Sequence, residues 1–373
     1  MTAHACDACL RRTWLVARLG GAIETARRDR RPLREILALS DQRLLAALGR
    51  WAGTDLADEM DRVDIGALRD AATHARLAVV CRHGEGYPAR LRDLPDGPAA
   101  LFVAAERDAL ERLGRLAGGT TDDGARAVAI VGTRRASAEG NEVARALGRG
   151  LGAAGLGVVS GMALGIDSAA HGGALDSGAP TLAVLAGGAD VPYPASKRSL
   201  YRRIVAEGCV VSEMPPGFTP FKWCFPARNR IIAALAQMTV VVEAAERSGS
   251  LITAEIAADV GREIGAVPGP VTSWRARGTN ALLRDGATLV RDTRDVLDAV
   301  VGVEGGAAPD PAAGLEPRLA SLLRSVADGR DTLAALAGAP DQAHGTLAAL
   351  TELELLGHLR RVAGGRYVVV PRW

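Results

Sequence analysis

From about residue 127 the chain repeats one pattern: a short, largely apolar run, a turn, then a stretch of helical spacing. The runs are Ala127–Val131, Val158-Val159, Thr181–Leu185, Cys209–Val211, Met238–Val242, Ile264–Val267 and Thr288–Val290. Helices are predicted between most of them, one closing near Ala154 and another over about Ser196–Ala206. Strands buried on both faces are apolar throughout instead of alternating. The series therefore predicts an α/β fold with a mostly parallel, doubly wound sheet. In such sheets ligands sit beyond the C-terminal strand ends, near the switch in strand order.

The flanks read differently. Over residues 10–75 the positions Leu33, Ile36, Leu37, Leu44, Leu45 and Leu48 recur at helical spacing, with Ser40 as an N-cap. Residues 1–80 are thus predicted to be a small helical domain, followed by the α/β domain over 81–301. The glycine- and proline-rich stretch 302–316 reads as a linker. Beyond it, helices over 317–327, 331–338 and 342–356 and a hairpin of His358–Val362 with Arg366–Val370 predict a winged helix over 317–373. The second and third of these helices carry no Arg or Lys from Ala337 to Gly357, whereas Asp341, Glu352 and Glu354 are acidic. A helix that reads DNA needs cations, so this module is expected mainly to contact protein. Arg360, Arg361 and Arg366 on the hairpin leave room for weak DNA contact.

Composition narrows the class. The 373 residues are 48% hydrophobic with a formal net charge of +2, so any polyanion site must be a local patch. Cations are almost all Arg; Lys197 and Lys222 are the lysines of the chain. Five cysteines in a chain of this size point to a reducing cytoplasm. Cys6-x-x-Cys9 is one half of a zinc pattern, but no second CxxC follows and His4 alone does not complete it, so no metal is expected. No apolar run is long enough to span a bilayer, and no signal peptide opens the sequence.

Candidate chemistry clusters at strand-to-helix turns. Gly132, Thr133 and Arg134 follow the first run, with Ser137 placed to cap the next helix. Ser160, Gly161 and Gly165 follow the second, where Asp167 reads as a cap and His171 as a packed side chain. Gly187 follows the third, with Lys197 beyond it. Ser248, Gly249 and Ser250 open another helix. Phe225-Pro226-Ala227-Arg228-Asn229-Arg230 places two arginines and an amide at an apparent helix start, where unpaired N–H groups and the dipole favour anions. Phe221, Trp223 and Phe225 surround Lys222 in a chain that is 3% aromatic, and base stacking contributes ~1–3 kcal/mol. A mixture is expected there, one ring stacking and the others packing. Several such turns suggest a surface that holds successive phosphates, although each alone also fits an ordinary capped turn. Gly150-x-Gly152-x-x-Gly155 closes a helix instead of following a strand, so no dinucleotide cofactor is expected. There is no P-loop, nucleophile elbow or HExxH.

In order, Tyr87-Pro88, Val131-Gly132-Thr133-Arg134, Ser160-Gly161 through Gly165-Ile166-Asp167, Tyr193-Pro194, Ser212-Glu213, Phe225 through Ile232, Val241 through Ala244, Ser248 through Leu251 and Val267-Pro268-Gly269 resemble the bacterial DNA-processing protein A family (DprA/Smf). The resemblance covers roughly 80–300. It implies an extended Rossmann-like domain that binds single-stranded DNA, forms homodimers and loads the RecA recombinase during natural transformation. A helical N-terminus (SAM/HhH-like) and a winged helix fit architectures in that family. By motif position, Arg134, Lys197 and Lys222 resemble phosphate contacts and Phe225 a base-stacking residue. Leu164 departs from the pattern where relatives carry Arg, Ala104-Ala105-Glu106 replaces a Gly-Asp, and a glycine-rich insertion occupies 118–124.

The competing class is a nucleotide-processing enzyme of the nucleoside-monophosphate phosphoribohydrolase type, with Glu213 or Glu243 as acid or base. Its PGGxGTxxE signature is missing: no PGG occurs, and Gly278-Thr279 is followed by Asn280. A nicotinamide-dependent oxidoreductase is disfavoured by the misplaced glycines.

Overall fold

The structure is a computed structural model that describes residues 5–49, 55–117, 126–302, 312, 315–327, 330–337, 342–362 and 365–370. His4, the insertion at 118–124 and most of the predicted linker lie outside the described residues. The chain divides into two compact units, Met1–Val303 and Glu304–Trp373.

The first unit is built on nine strands: β1 (Leu77–Cys81), β2 (Ala100–Ala104), β3 (Ala127–Val131), β4 (Gly157–Ser160), β5 (Thr181–Val184), β6 (Cys209–Ser212), β7 (Met238–Val241), β8 (Glu263–Ala266) and β9 (Thr288–Leu289). Their order is β1-β2-β6-β5-β4-β3-β7-β8-β9. From β6 to β9 all neighbours are parallel, and β2 through β7 are buried along their whole length. Burial on both faces accounts for the unbroken apolar runs.

β1 and β2 extend the sheet by antiparallel pairing, β2 against both β1 and β6. The series of strands read from residue 127 onward did not include them, although Leu-Ala-Val-Val-Cys and Ala-Leu-Phe-Val-Ala satisfy the same criterion. The expected boundary at residue 80/81 therefore falls inside a strand. The N-terminal helices, Asp7–Arg18 through Ile65–His74, share their core with the α/β domain. Leu15, Ile23 and Leu44 share a cluster with Ala186, Met214 and Trp223, while Cys9 and Leu10 pack with Phe102 and Val210. Trp223 is fully buried; its Nε1–H donates to Gly20 O at 2.8 Å and its backbone N–H to Glu24 Oε2 at 2.9 Å. Ser40 caps its helix through Arg43 N–H, as the sequence predicts.

On one face, helices Ala138–Ala153 and Ile166–Asp176 pack closely because small residues line their contact: a Cβ on Gly148 would sit 2.2 Å from Ala170 O, and one on Gly173 1.9 Å from Arg145 O. Gly150 and Gly152 belong to the first of these helices, and Gly155 (φ +79°) ends its terminal turn. These glycines serve packing and chain reversal, consistent with their position before a strand.

β3 lies between β4 and β7. The chain steps outward from β3 through β4, β5 and β6, then returns to β7 on the other side, so the switch in strand order falls between β3 and β7. Their following loops are tied together there: Thr133 N–H donates to Glu243 O at 2.8 Å.

In the second unit, helices Pro317–Ala327, Leu333–Ala337 and Ala343–Leu355 precede an antiparallel hairpin, β10 (Leu359–Val362) and β11 (Arg366–Val369). Leu319, Leu323, Leu350, Leu353, Leu359 and Tyr367 form its core. Arg366 pairs with Asp331, its Nε 2.6 Å from Oδ2, so that hairpin cation is neutralised. No described helix is long and apolar enough to cross a membrane.

Candidate functional site

The floor of the crevice beyond β3, β4 and β5 is held by Arg228. The helix that carries it spans Cys224–Leu235, which puts Arg228, Asn229 and Arg230 in its second turn, past the unpaired N–H groups of a helix start. The dipole argument for these three residues is therefore corrected. Arg228 is 7% exposed. Its Nη1 donates to Gly161 O at 2.6 Å and Val184 O at 2.7 Å, and its Nε to Asn229 Oδ1 at 3.0 Å. Nη2 lies 3.8 Å from Asp167 Oδ2. The Asp167 carboxylate reaches back to the N–H groups of Gly161 and Ala163, so it braces the loop after β4 instead of capping the helix. Burial pushes its carboxyl above the usual range, opposed by the guanidinium of Arg228 and by those N–H groups. Gly161 leaves room for this network, since a Cβ there would lie 1.7 Å from Arg228 Nη1.

Two further candidates are structural. Arg230 is 5% exposed, with Nη2 2.5 Å from Glu213 Oε2 and Nε 3.3 Å from Asp96 Oδ2. Ser160 is fully buried and donates to Ile130 O at 2.6 Å. Neither can present its polar atoms to a ligand. Both assignments to a DNA surface are corrected by burial. His171 packs as expected: it is fully buried, Nδ1 lies 2.8 Å from Thr181 Oγ1, and burial pulls its pKa down to about 3, so the ring is neutral.

The rim is different. Arg134 is exposed on the turn after β3, and its guanidinium carbon lies 5.1 Å from the Phe225 ring centroid. The exposed Tyr193 ring lies 5.5 Å from that of Phe225, tilted by 53°. Three adjoining clefts share Arg134. One of 360 Å³ runs past Gly132, Phe225, Asn229 and the turn Ser248-Gly249-Ser250. One of 90 Å³ runs past Gly161, Leu164 and Tyr193. One of 450 Å³ runs past Arg135, Gly165 and Lys197. Gly165 needs φ +77° to pass within contact of Thr133 O. Ser248 caps the helix Gly249–Asp259 through Ser250 N–H. A larger cavity, 580 Å³, lies at the far edge among Leu77, Ala104 and Tyr201 and touches none of these turns.

Charge separates the rim from the floor. Arg27, Arg145 and Arg228 line the crevice, and each has a carboxylate beside it: Glu24, Asp176 and Asp167. Among the described residues, Arg134, Arg135 and Lys197 form no salt bridge, although the Asp167 carboxylate feels the Arg134 charge and Glu142 lines the cleft of Arg135 and Lys197. Their field is directed at solvent and at whatever occupies the clefts.

Thus Gly132, Arg134, Gly161, Gly165, Lys197, Phe225, Asn229, Ser248, Gly249 and Ser250 converge on one crevice, with Arg228 beneath. Thr133 is tied to Glu243 and caps its own turn, its Oγ1 accepting from Arg135 N–H. Gly187 packs against Phe218 and Pro220, where a Cβ would lie 2.8 Å from Phe218 O. Lys222 is exposed but lines none of the three clefts. Of the clustered aromatics, Trp223 is buried and Phe221 lies against Gly20, leaving Phe225 in the crevice. The sequence reading missed Arg27, which no motif marks, and passed over Tyr193 and Arg135 as individual site residues. Glu243 is held by the start of helix Ala138–Ala153, accepting from Ser137 Oγ at 2.5 Å and Ser137 N–H at 2.9 Å.

The curated relatives include a DprA from Mycobacterium tuberculosis, 49% identical over 193 residues, which are 51% of this chain and 50% of that protein. The Streptococcus pneumoniae DNA processing protein DprA is 40% identical over 211 residues, 57% of this chain and 70% of the relative. The chain thus spans about half the length of the mycobacterial relative. The solved structure of Streptococcus pneumoniae DprA covers 80% of this chain and 99% of its own, with a TM-score of 0.61 at 30% identity. A Helicobacter pylori DNA processing protein A, described for its single-stranded DNA binding mode, covers 61% of this chain and 97% of its own, with a TM-score of 0.53 at 26% identity. The profile of the family described as DNA recombination-mediator protein A matches residues 78–301, which include nearly all of the sheet and the turns around Arg134, and the chain belongs to that family.

Proposed function

We propose that the rim around Arg134 binds single-stranded DNA. One observation carries the reading: an exposed guanidinium without a carboxylate partner stands over an aromatic ring, at the switch point of a parallel sheet. The cation supplies a phosphate contact and the ring a stacking platform, the two components of sequence-independent single-strand binding. Lys197 supplies a second phosphate contact from the adjoining cleft, and Lys222 a third from the loop before Phe225. The glycine and serine turns at 132 and 248–250 let the backbone approach closely. The Helicobacter pylori relative's single-stranded DNA binding supports the same assignment here.

On this reading the protein is a cytoplasmic, non-enzymatic mediator of recombination. It acts as a homodimer, protects incoming strands in transformation and passes them to RecA. The second unit is read as a winged helix whose acidic third helix favours a protein partner. The competing hydrolase reading needs Glu213 or Glu243 available as an acid or base. Glu213 is paired with Arg230 and Glu243 with Ser137, which disfavours it.

Competition between labelled oligothymidylate and unlabelled single-stranded DNA, duplex DNA and RNA tests the proposal. Single-stranded DNA is expected to displace the label at the lowest concentration, with no base released from nucleoside monophosphates in the same buffer. Preferential displacement by duplex, or release of free base, would reject it.

A further inference from the structure

The second half of the Cys6-x-x-Cys9 pattern lies in another part of the chain. Cys6 is the residue before helix Asp7–Arg18 and Cys9 is in its first turns, while Cys81 ends β1 and His83 lies in the turn that follows. The fold brings the ligand atoms of all four within 4.8 Å of one another. Cys6 Sγ and Cys9 Sγ each lie 3.4 Å from His83 Nδ1, and Cys81 Sγ lies 4.0 Å from Cys6 Sγ.

Three of the six ligand–ligand distances are thus close to the edges of one tetrahedron. With metal–sulfur bonds of about 2.3 Å and a metal–nitrogen bond of about 2.0 Å, tetrahedral geometry requires S···S of about 3.8 Å and S···N of about 3.5 Å. A disulfide requires sulfurs about 2.05 Å apart, far inside the 4.0 Å between Cys6 and Cys81. The backbone N–H of Cys6 also points at Cys81 Sγ at 3.4 Å, the kind of outer contact that holds a thiolate ligand in place.

We propose that Cys6, Cys9, Cys81 and His83 bind one zinc ion in a closed Cys₃His site. Three thiolates and one imidazole form a soft, borderline donor set that suits zinc over magnesium or calcium. With four protein ligands no position remains for water or substrate, so the role is structural. Nδ1 faces the sulfurs, which leaves the ring proton on Nε2. Cys9 and Cys81 are buried while Cys6 and His83 are exposed, so the ion has a path in from solvent. The ion would clamp the first helix to the antiparallel edge of the sheet across 75 residues of chain, at an end where few strands hold it.

The full-length protein, purified under reducing conditions without chelator, tests this by metal analysis and by cobalt substitution. About one zinc per chain is expected. Cobalt added to the metal-free protein is expected to give the intense thiolate charge-transfer and tetrahedral ligand-field absorption of an S₃N site. His83→Ala changes an exposed side chain and is expected to fold; zinc should be lost to a competing chelator at a concentration lower by about tenfold or more. Chelation should lower the melting temperature of the wild type and leave that of a Cys9→Ser variant unchanged. A chain that takes up well under one zinc after loading, gives no cobalt–thiolate absorption, or holds Cys6 and Cys9 as a disulfide under these conditions overturns the assignment.

Discussion

Arg134→Ala is expected to weaken binding of oligothymidylate by about 10- to 100-fold near physiological salt. A hydrogen bond between a cation and a phosphate contributes about 1.5–3 kcal/mol, and a tenfold change in affinity is about 1.4 kcal/mol. The guanidinium is exposed, has no carboxylate to release first, and stands over Phe225, so its removal also disturbs the stacking platform. Each phosphate contact on a single strand contributes about −0.7 to the slope of log affinity against log salt, and the variant should lose about that much. Arg145 is the control. It lines the same cleft as Lys197 but is paired with Asp176, so Arg145→Ala should change affinity and slope little. Fluorescence anisotropy at several salt concentrations measures both quantities. Unchanged slopes in Arg134→Ala, Lys197→Ala and Lys222→Ala would remove the proposed groove.

Arg228→Met is expected to act on stability instead. The substitution strips Gly161 O and Val184 O of their donors and leaves the Asp167 carboxylate without its counter-charge in a buried position. Breaking a buried pair from one side costs about 3–5 kcal/mol, a large part of a typical domain's 5–15 kcal/mol. Adding Asp167→Asn removes the uncompensated charge and should restore part of the loss. Urea unfolding of the single and double variants gives the coupling. A variant that kept its stability but lost DNA affinity would return Arg228 to the ligand surface.

These two arginines show what the sequence could and could not reveal. In the sequence both follow an apolar or aromatic segment and stand at an apparent helix start, and both lie in motifs that resemble the family's. Arg134 stays at the surface because its turn leaves β3 at the open end of the sheet. Arg228 is drawn inward by carbonyls from β5 and the loop after β4, contributed by residues 44 and 67 positions away. Such distant partners leave no local trace. Arg230 was misread for the same reason, its partner Glu213 lying beyond a loop and Asp96 on another part of the chain. Local rules worked where the physics is local. β3 has the predicted bounds, and the hydroxyls of Ser40 and Ser137 cap the helices they precede. The grouping of the cysteines is hidden from the sequence for the same reason. CxxC is local, but Cys81 and His83 arrive only when β1 pairs with β2 and the first helix docks beside them.

The most direct test of the account is a crystal structure of the chain bound to oligothymidylate. Phosphates are expected within hydrogen-bonding distance of the Arg134 guanidinium and the Lys197 amine, with a base against Phe225. A strand bound on another face, with the crevice around Arg134 left open to solvent, would contradict it.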